Sequence, residues 1–99
     1  MMYVVDSRNF RPTIRKCLRR VRKGDHVVLV VHGRPVALLR PVRPGDEGLL
    51  VPSRLLRDEL HDTIQKARYG CLVVTWYGRA YAVLEAPAPE VRELFEEAS

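Results

Sequence analysis

The sequence predicts an α+β fold: two tandem strand–helix–hairpin copies that form a pseudo-dimer, with the sheet covered by helices. Three observations predict it. First, residues 5–39 (VDSRNFRPTIRKCLRRVRKGDHVVLVVHGRPVALL) and 51–84 (VPSRLLRDELHDTIQKARYGCLVVTWYGRAYAVL) repeat one another. A shift of 46 carries Val5 onto Val51, Ser7 onto Ser53, Arg8 onto Arg54, Arg11 onto Arg57, Arg22 onto Arg68 and Gly24 onto Gly70. After a one-residue deletion the shift is 45, pairing Gly33 with Gly78, Arg34 with Arg79, Ala37 with Ala82 and Leu39 with Leu84. Second, each copy carries an apolar stripe at helical spacing. Third, each then carries two β-branched or aromatic runs split by a turn glycine. Two copies are too few for a solenoid but suit two half-domains doing the work of a homodimer.

Each element has a local cause. Met2–Val5 is a short apolar run and reads as a strand. Asp6 or Ser7 then offers a side-chain oxygen to cap a helix, and Ser53 is expected to do the same in the second copy. Phe10, Ile14, Cys17, Leu18 and Val21 make one face of an amphipathic helix, repeated with smaller residues by Leu56, Leu60, Thr63, Ile64 and Ala67. Pro12 should break or kink the first helix unless a new helical segment starts there. Gly24 and Gly70 end the helices. His26–Val31 with Pro35–Pro41, and Leu72–Tyr77 with Ala80–Ala86, read as β-hairpins closed at His32-Gly33-Arg34 and Gly78-Arg79. Both faces of Val36–Pro41 are largely apolar, so the helices must cover one of them.

Ninety-nine residues at 46 % hydrophobic content suggest one compact domain with a modest core. It divides into repeats 1–42 and 49–86, a linker 43–48 of turn formers, and a C-terminal helix within 88–98. A copy of about forty residues is near the lower limit for folding alone, so the halves should share a core. No apolar run approaches the roughly 20 residues that span a bilayer, and nothing resembles a signal peptide, so the expected compartment is the cytoplasm. Cys17 and Cys71 fit reduced, partly buried thiols better than a disulfide framework. His26, His32 and His61 show no ligand spacing with them, so neither metal nor cofactor is assigned.

Charge is the strongest functional pointer. The net charge is +5, yet residues 1–48 carry 11 Lys/Arg against 4 Asp/Glu and residues 49–99 carry 6 against 8. Basic charge thus belongs almost wholly to the first copy, as in a nucleic-acid-facing lobe, although an arginine-rich solvated surface would look the same. Arg8, Arg11, Arg15, Arg19 and Arg22 are spaced 3, 4, 4 and 3, forming one stripe beside the apolar face. In the second copy the stripe becomes Arg54, Arg57, His61, Gln65 and Arg68, its ends kept and its centre neutral. A row of like charges repels itself, and a line of phosphates would offset that repulsion. DNA contact is favoured for Arg8, Arg11 and Arg15; from Arg19 to Lys23 a solvated face stands as an equal alternative. The aromatic cluster Trp76, Tyr77 and Tyr81 reads as core or inter-lobe packing before base stacking.

No nucleophile–base set, phosphate loop or carboxylate pair emerges, and no enzyme is expected. Asp58, Glu59 and Asp62 sit in first helical turns, where acidic residues meet the dipole favourably. The C-terminal segment carries Glu90, Glu93, Glu96 and Glu97 with Val91, Leu94 and Phe95 on one side. It can dock on a basic partner as a helix in a groove or cover the chain's own sheet, the second being favoured.

Ser7-x-x-Phe10-Arg11-x-x-Ile14, then Gly24, a β-run and His32-Gly33-Arg34-Pro35-Val36-Ala37-Leu38-Leu39, together resemble the N-terminal module of the Phd/YefM antitoxins. A degraded form recurs as Leu56-Arg57-x-x-Leu60 and Gly78-Arg79-Ala80-Tyr81-Ala82-Val83-Leu84. The resemblance implies a module that pairs its sheets in a dimer, binds operator DNA as an autorepressor and neutralises a toxin through a C-terminal tail. It implies a DNA contact for Arg11 and Arg57, which match the family's F-R arginine. Members of that family usually carry one copy and then a flexible toxin-wrapping segment. Here a second copy takes that place and only residues 88–99 remain as a tail. The expected function is therefore an antitoxin-like DNA-binding protein, partnered by operator DNA and a cognate toxin, with a homo-oligomer of pseudo-dimers as a further expectation. The alternative is a protein–protein interaction module on the same scaffold, without operator binding.

Overall fold

In the computed structural model, which describes residues 1–98, Asp6 ends the first strand and starts the first helix. Its carboxylate accepts a hydrogen bond from the Arg8 backbone N–H at 2.9 Å, so β1 (Met2–Asp6) runs straight into α1 (Ser7–Phe10). Pro12 does interrupt the helix. A 3-10 helical turn over Arg11–Thr13 follows, and α2 (Ile14–Arg22) begins directly after it. The Thr13 hydroxyl donates to the Asn9 carbonyl at 2.6 Å, holding the turn closed. β2 (His26–Val31) and β3 (Arg34–Arg40) then form a hairpin.

The second half follows the same order: β4 (Leu49–Pro52), α3 (Ser53–Asp58), α4 (Leu60–Ala67), β5 (Leu72–Trp76) and β6 (Arg79–Glu85). Here the helix breaks at Glu59, without a proline, at φ −126° and ψ 51°. Ser53 does not cap. Pro52 occupies the place of Asp6 and has no side-chain acceptor, so α3 starts with no side-chain cap bond and Ser53 is its first residue. α5 (Pro89–Ala98) closes the chain.

The result is an α+β architecture around one six-stranded sheet of order β1-β2-β3-β6-β5-β4. β1 pairs with β2, and β4 with β5, in parallel, because a helical crossover separates each pair. Between β3 and β6 the halves meet antiparallel, with Leu39 opposite Leu84. Each hairpin turns through two residues of positive φ, His32-Gly33 (51° and 76°) and Tyr77-Gly78 (52° and 75°). That is the backbone hand which suits the strand twist. Each first strand is bulged at matching places, between Leu29 and Val30 and between Val74 and Thr75.

The helical stripes cover one sheet face as expected: Phe10, Leu18, Val21, Leu56, Leu60 and Ile64 pack on Val27, Leu29, Leu39, Val51, Val74 and Leu84. Helices are not confined to that face. On the other, Val91 of α5 packs with Val28, Val30 and Leu38, and Ala88 and Phe95 flank it. The connection between the halves runs from the end of β3 at Arg40 to the start of β4 at Leu49. It is pinned: Asp46 accepts from the Arg43 backbone N–H at 2.6 Å and from the Arg40 guanidinium. It then passes so close to β5 that a Cβ at Gly48 would collide with the Cys71 carbonyl oxygen. Cys17 and Cys71 are free thiols. Burial pushes both up in pKa, and at Cys71 the nearby Glu85 carboxylate adds to it.

Candidate nucleic-acid interface

Residues from the start of each half's helical segment line a groove together with residues of the second helical segment of the other half. Two grooves result. In one, Arg15 with Ile14 and Leu18 faces Ser53, Arg54 and Arg57, with Trp76 at the side. In the other, His61 with Leu60 faces Ser7, Arg8 and Arg11. The 46-residue shift equates Ser7 with Ser53, Arg8 with Arg54, Arg11 with Arg57 and Arg15 with His61. The cavities are about 90 Å³ and about 270 Å³. Both fall short of the roughly 300–1,000 Å³ of a small-molecule pocket. They are shallow basic indentations of the surface.

Of the arginines singled out in the sequence, Arg8, Arg11, Arg15 and Arg57 therefore come together, all exposed, at these two grooves. Arg19 is exposed one turn further along α2 and lines neither. Arg22 leaves the stripe: its Nη1 donates to the Tyr81 hydroxyl at 3.1 Å and its guanidinium lies 5.0 Å from the Tyr81 ring. Arg20 packs over Tyr3 at 3.7 Å. Trp76 and Tyr81 are half-buried with rings 5.1 Å apart, and through Arg22 they join the second half to the first.

Local carboxylates temper some of these charges. Arg8 is tied to Asp6 (Nε to Oδ1, 3.1 Å) and Arg57 to Asp58 (Nε to Oδ1, 2.9 Å). No described carboxylate pairs with Arg11, Arg15 or Arg54. The Arg57 bond holds the Asp58 carboxyl below the usual range, and the charges of Arg54 and Arg11 add to this. Arg11 of the first half and Arg54 and Arg57 of the second thus share one electrostatic field. Asp6 is lowered likewise, chiefly by the Arg8 backbone N–H.

Arg54 and His61 are the groove residues that helix periodicity alone passes over. The internal shift pointed to both, since it maps them onto Arg8 and Arg15. What periodicity cannot show is that the grooves are built between halves. Val91 and Phe95 rest on the chain's own sheet, while Leu94 is exposed. Glu90 and Glu93 are exposed, and the side chains of Glu96 and Glu97 lie outside the described residues. No cluster of His, Cys, Asp and Glu among the described residues is placed to hold a metal. No described helix is long and apolar enough to cross a membrane.

Comparison with known proteins gives the following relationship. Over 43 residues the chain is 54 % identical to the protein named "Putative antitoxin VapB5" in two strains of Mycobacterium tuberculosis. The match covers 43 % of this chain and 50 % of the relative, so the chain spans about half the length of the curated relatives it matches. The chain is similar to an antitoxin. No family model matches the sequence, and no solved structure matches it.

Proposed function

We propose that this chain is an antitoxin-like DNA-binding protein: a duplicated Phd/YefM-type module whose halves form a pseudo-dimer within one chain. It represses its own operon in the cytoplasm, as a non-enzymatic binding protein, and pairs with a cognate toxin. The observation that carries this reading is the meeting of Arg8, Arg11, Arg15, Arg54 and Arg57 at two grooves between the halves. Arginine is suited to bidentate contact with phosphates and guanine edges, and clustered cations release counterions from DNA. Similarity to an antitoxin over 43 residues supports the same reading. The mirrored strand order about β3–β6 supports the pseudo-dimer, which can in turn assemble with further copies.

Titration of DNA from upstream of the protein's own reading frame, against salt and against a scrambled duplex, tests it. Steep salt dependence with preference for the upstream sequence is expected. Equal or absent binding of both duplexes at low salt would leave the protein–protein module. That second reading has its own support in α5, where exposed Leu94 lies between exposed Glu90 and Glu93 and the half-buried Phe95.

A further inference from the structure

The two grooves share a plan and differ in chemistry. At the first, Arg15 and Arg54 have no described carboxylate partner, and only Arg57 is tied, to Asp58. At the second, Arg8 is tied to Asp6, Arg11 has no described carboxylate partner, and His61 stands where the first has Arg15. Each difference has a cause in the repeat. Pro52 replaces Asp6, so Arg54 lacks the partner that Arg8 has; Pro12 stands where the second half has Asp58. The first groove also carries Trp76, whose counterpart under the 45-residue shift is Val31. An arginine presents a planar fork of donors that matches two acceptors at once, a geometry an imidazole ring does not offer.

We infer that one chain reads an asymmetric DNA site, one half-site contacted through Arg15, Arg54 and Arg57 and a chemically different one through Arg8, Arg11 and His61. This rests on the DNA-binding reading above. A homodimer of one module meets an inverted repeat because its two surfaces are identical. Here the surfaces occupy equivalent positions without being identical, so the half-sites they prefer differ. The Arg15 groove takes the half-site richer in guanine contacts, and the His61 groove makes fewer contacts and tolerates more sequence.

The test is selection of bound duplexes from a random pool by the full-length protein. The mass of the selected complex then assigns the protected stretch to a single chain. Two dissimilar half-sites within that stretch are expected. His61→Arg should shift the selected motif toward an inverted repeat and steepen the salt dependence by about one unit of slope. Arg15→His should weaken binding about tenfold, mainly by relaxing the stronger half-site. Both side chains are exposed, so unchanged thermal unfolding is the check on folding. A perfect inverted repeat under a single wild-type chain, left unchanged by His61→Arg, overturns the inference while leaving DNA binding in place. A pool that shows neither enrichment nor salt-sensitive retention overturns the DNA-binding reading itself.

Discussion

Arg40 and Glu85 are joined across the β3–β6 seam at 2.9 Å (Nε to Oε1), and a shift of 45 residues carries one onto the other. At equivalent positions of the two halves the sequence thus carries a complementary pair. Arg40, with only 8 % of its side chain exposed, also holds Asp46 through two nitrogens at 2.8 and 3.0 Å and the Pro41 carbonyl at 3.0 Å. One guanidinium therefore fastens the second half's last strand and the inter-half connection to the first half.

Arg40→Met should lower stability by about 3 kcal/mol, because it strands two partly buried carboxylates without a counter-charge. Glu85→Gln should cost nearer 1 kcal/mol, since its amide oxygen can still accept from Nε and Asp46 still holds the guanidinium. Chemical denaturation of the three proteins measures this. An Arg40→Met protein as stable as wild type would mean the seam is held by apolar packing alone.

Asp46 gives the seam a pH signature. The Arg40 hydrogen bonds, and then the Arg43 backbone N–H, lower its pKa from an ordinary 3.8 to about 2. A lowered folded-state pKa means stability that is fully present above the ordinary value and is lost as pH falls toward the folded one. Wild type should therefore lose thermal stability more steeply between about pH 4 and pH 2 than Asp46→Asn does. Asp6 and Asp58 are lowered in the same direction but are common to both proteins. Parallel melting curves across that window would show that Asp46 carries no such linkage.

Much of this was legible in the chain because it is local. The stripe Phe10, Ile14, Cys17, Leu18 and Val21 faces the sheet because its spacing places all five on one side of a helix. Turn glycines marked both hairpins, since the second turn residue of each has positive φ. Arg40 was not legible: at the end of an apolar strand it looks like a residue pointing to solvent, and its partners lie 6 and 45 residues away. The grooves were half legible. The shift equated their residues, but only the three-dimensional arrangement of the halves sets Arg15 on the same groove as Arg54 and Arg57. Ser53 failed as a cap for a local reason that periodicity does not weigh, the proline before it.

Replacing Arg11 and Arg15 together by Ala removes one arginine from each groove. Both are exposed and lack a described carboxylate partner, so stability should stay within about 0.5 kcal/mol of wild type. DNA affinity should fall at least tenfold, and the slope of log affinity against log salt should flatten by about 2, one for each lost phosphate contact. Electrophoretic or anisotropy titration at several salt concentrations measures both. Wild-type affinity and slope in the double variant would make the basic grooves surface decoration.

Asp58 offers the opposite experiment, a change expected to strengthen binding. Its carboxylate accepts from Arg57 Nε at 2.9 Å and lies in the combined field of Arg57, Arg54 and Arg11. Beside a phosphate backbone, that negative charge neutralises one cation and repels the ligand. Asn keeps an oxygen to orient Arg57 while removing the charge. Asp58→Asn should therefore raise affinity for duplex DNA a few-fold at low salt and steepen the salt slope by about 1. Folding stability should barely move, because the pair is half exposed (51 % and 55 %) and worth little to the fold. Weaker binding by this variant would mean that the Asp58 charge itself fixes Arg57 in its contacting position. A gain that persists undiminished at high salt would rule out an electrostatic origin.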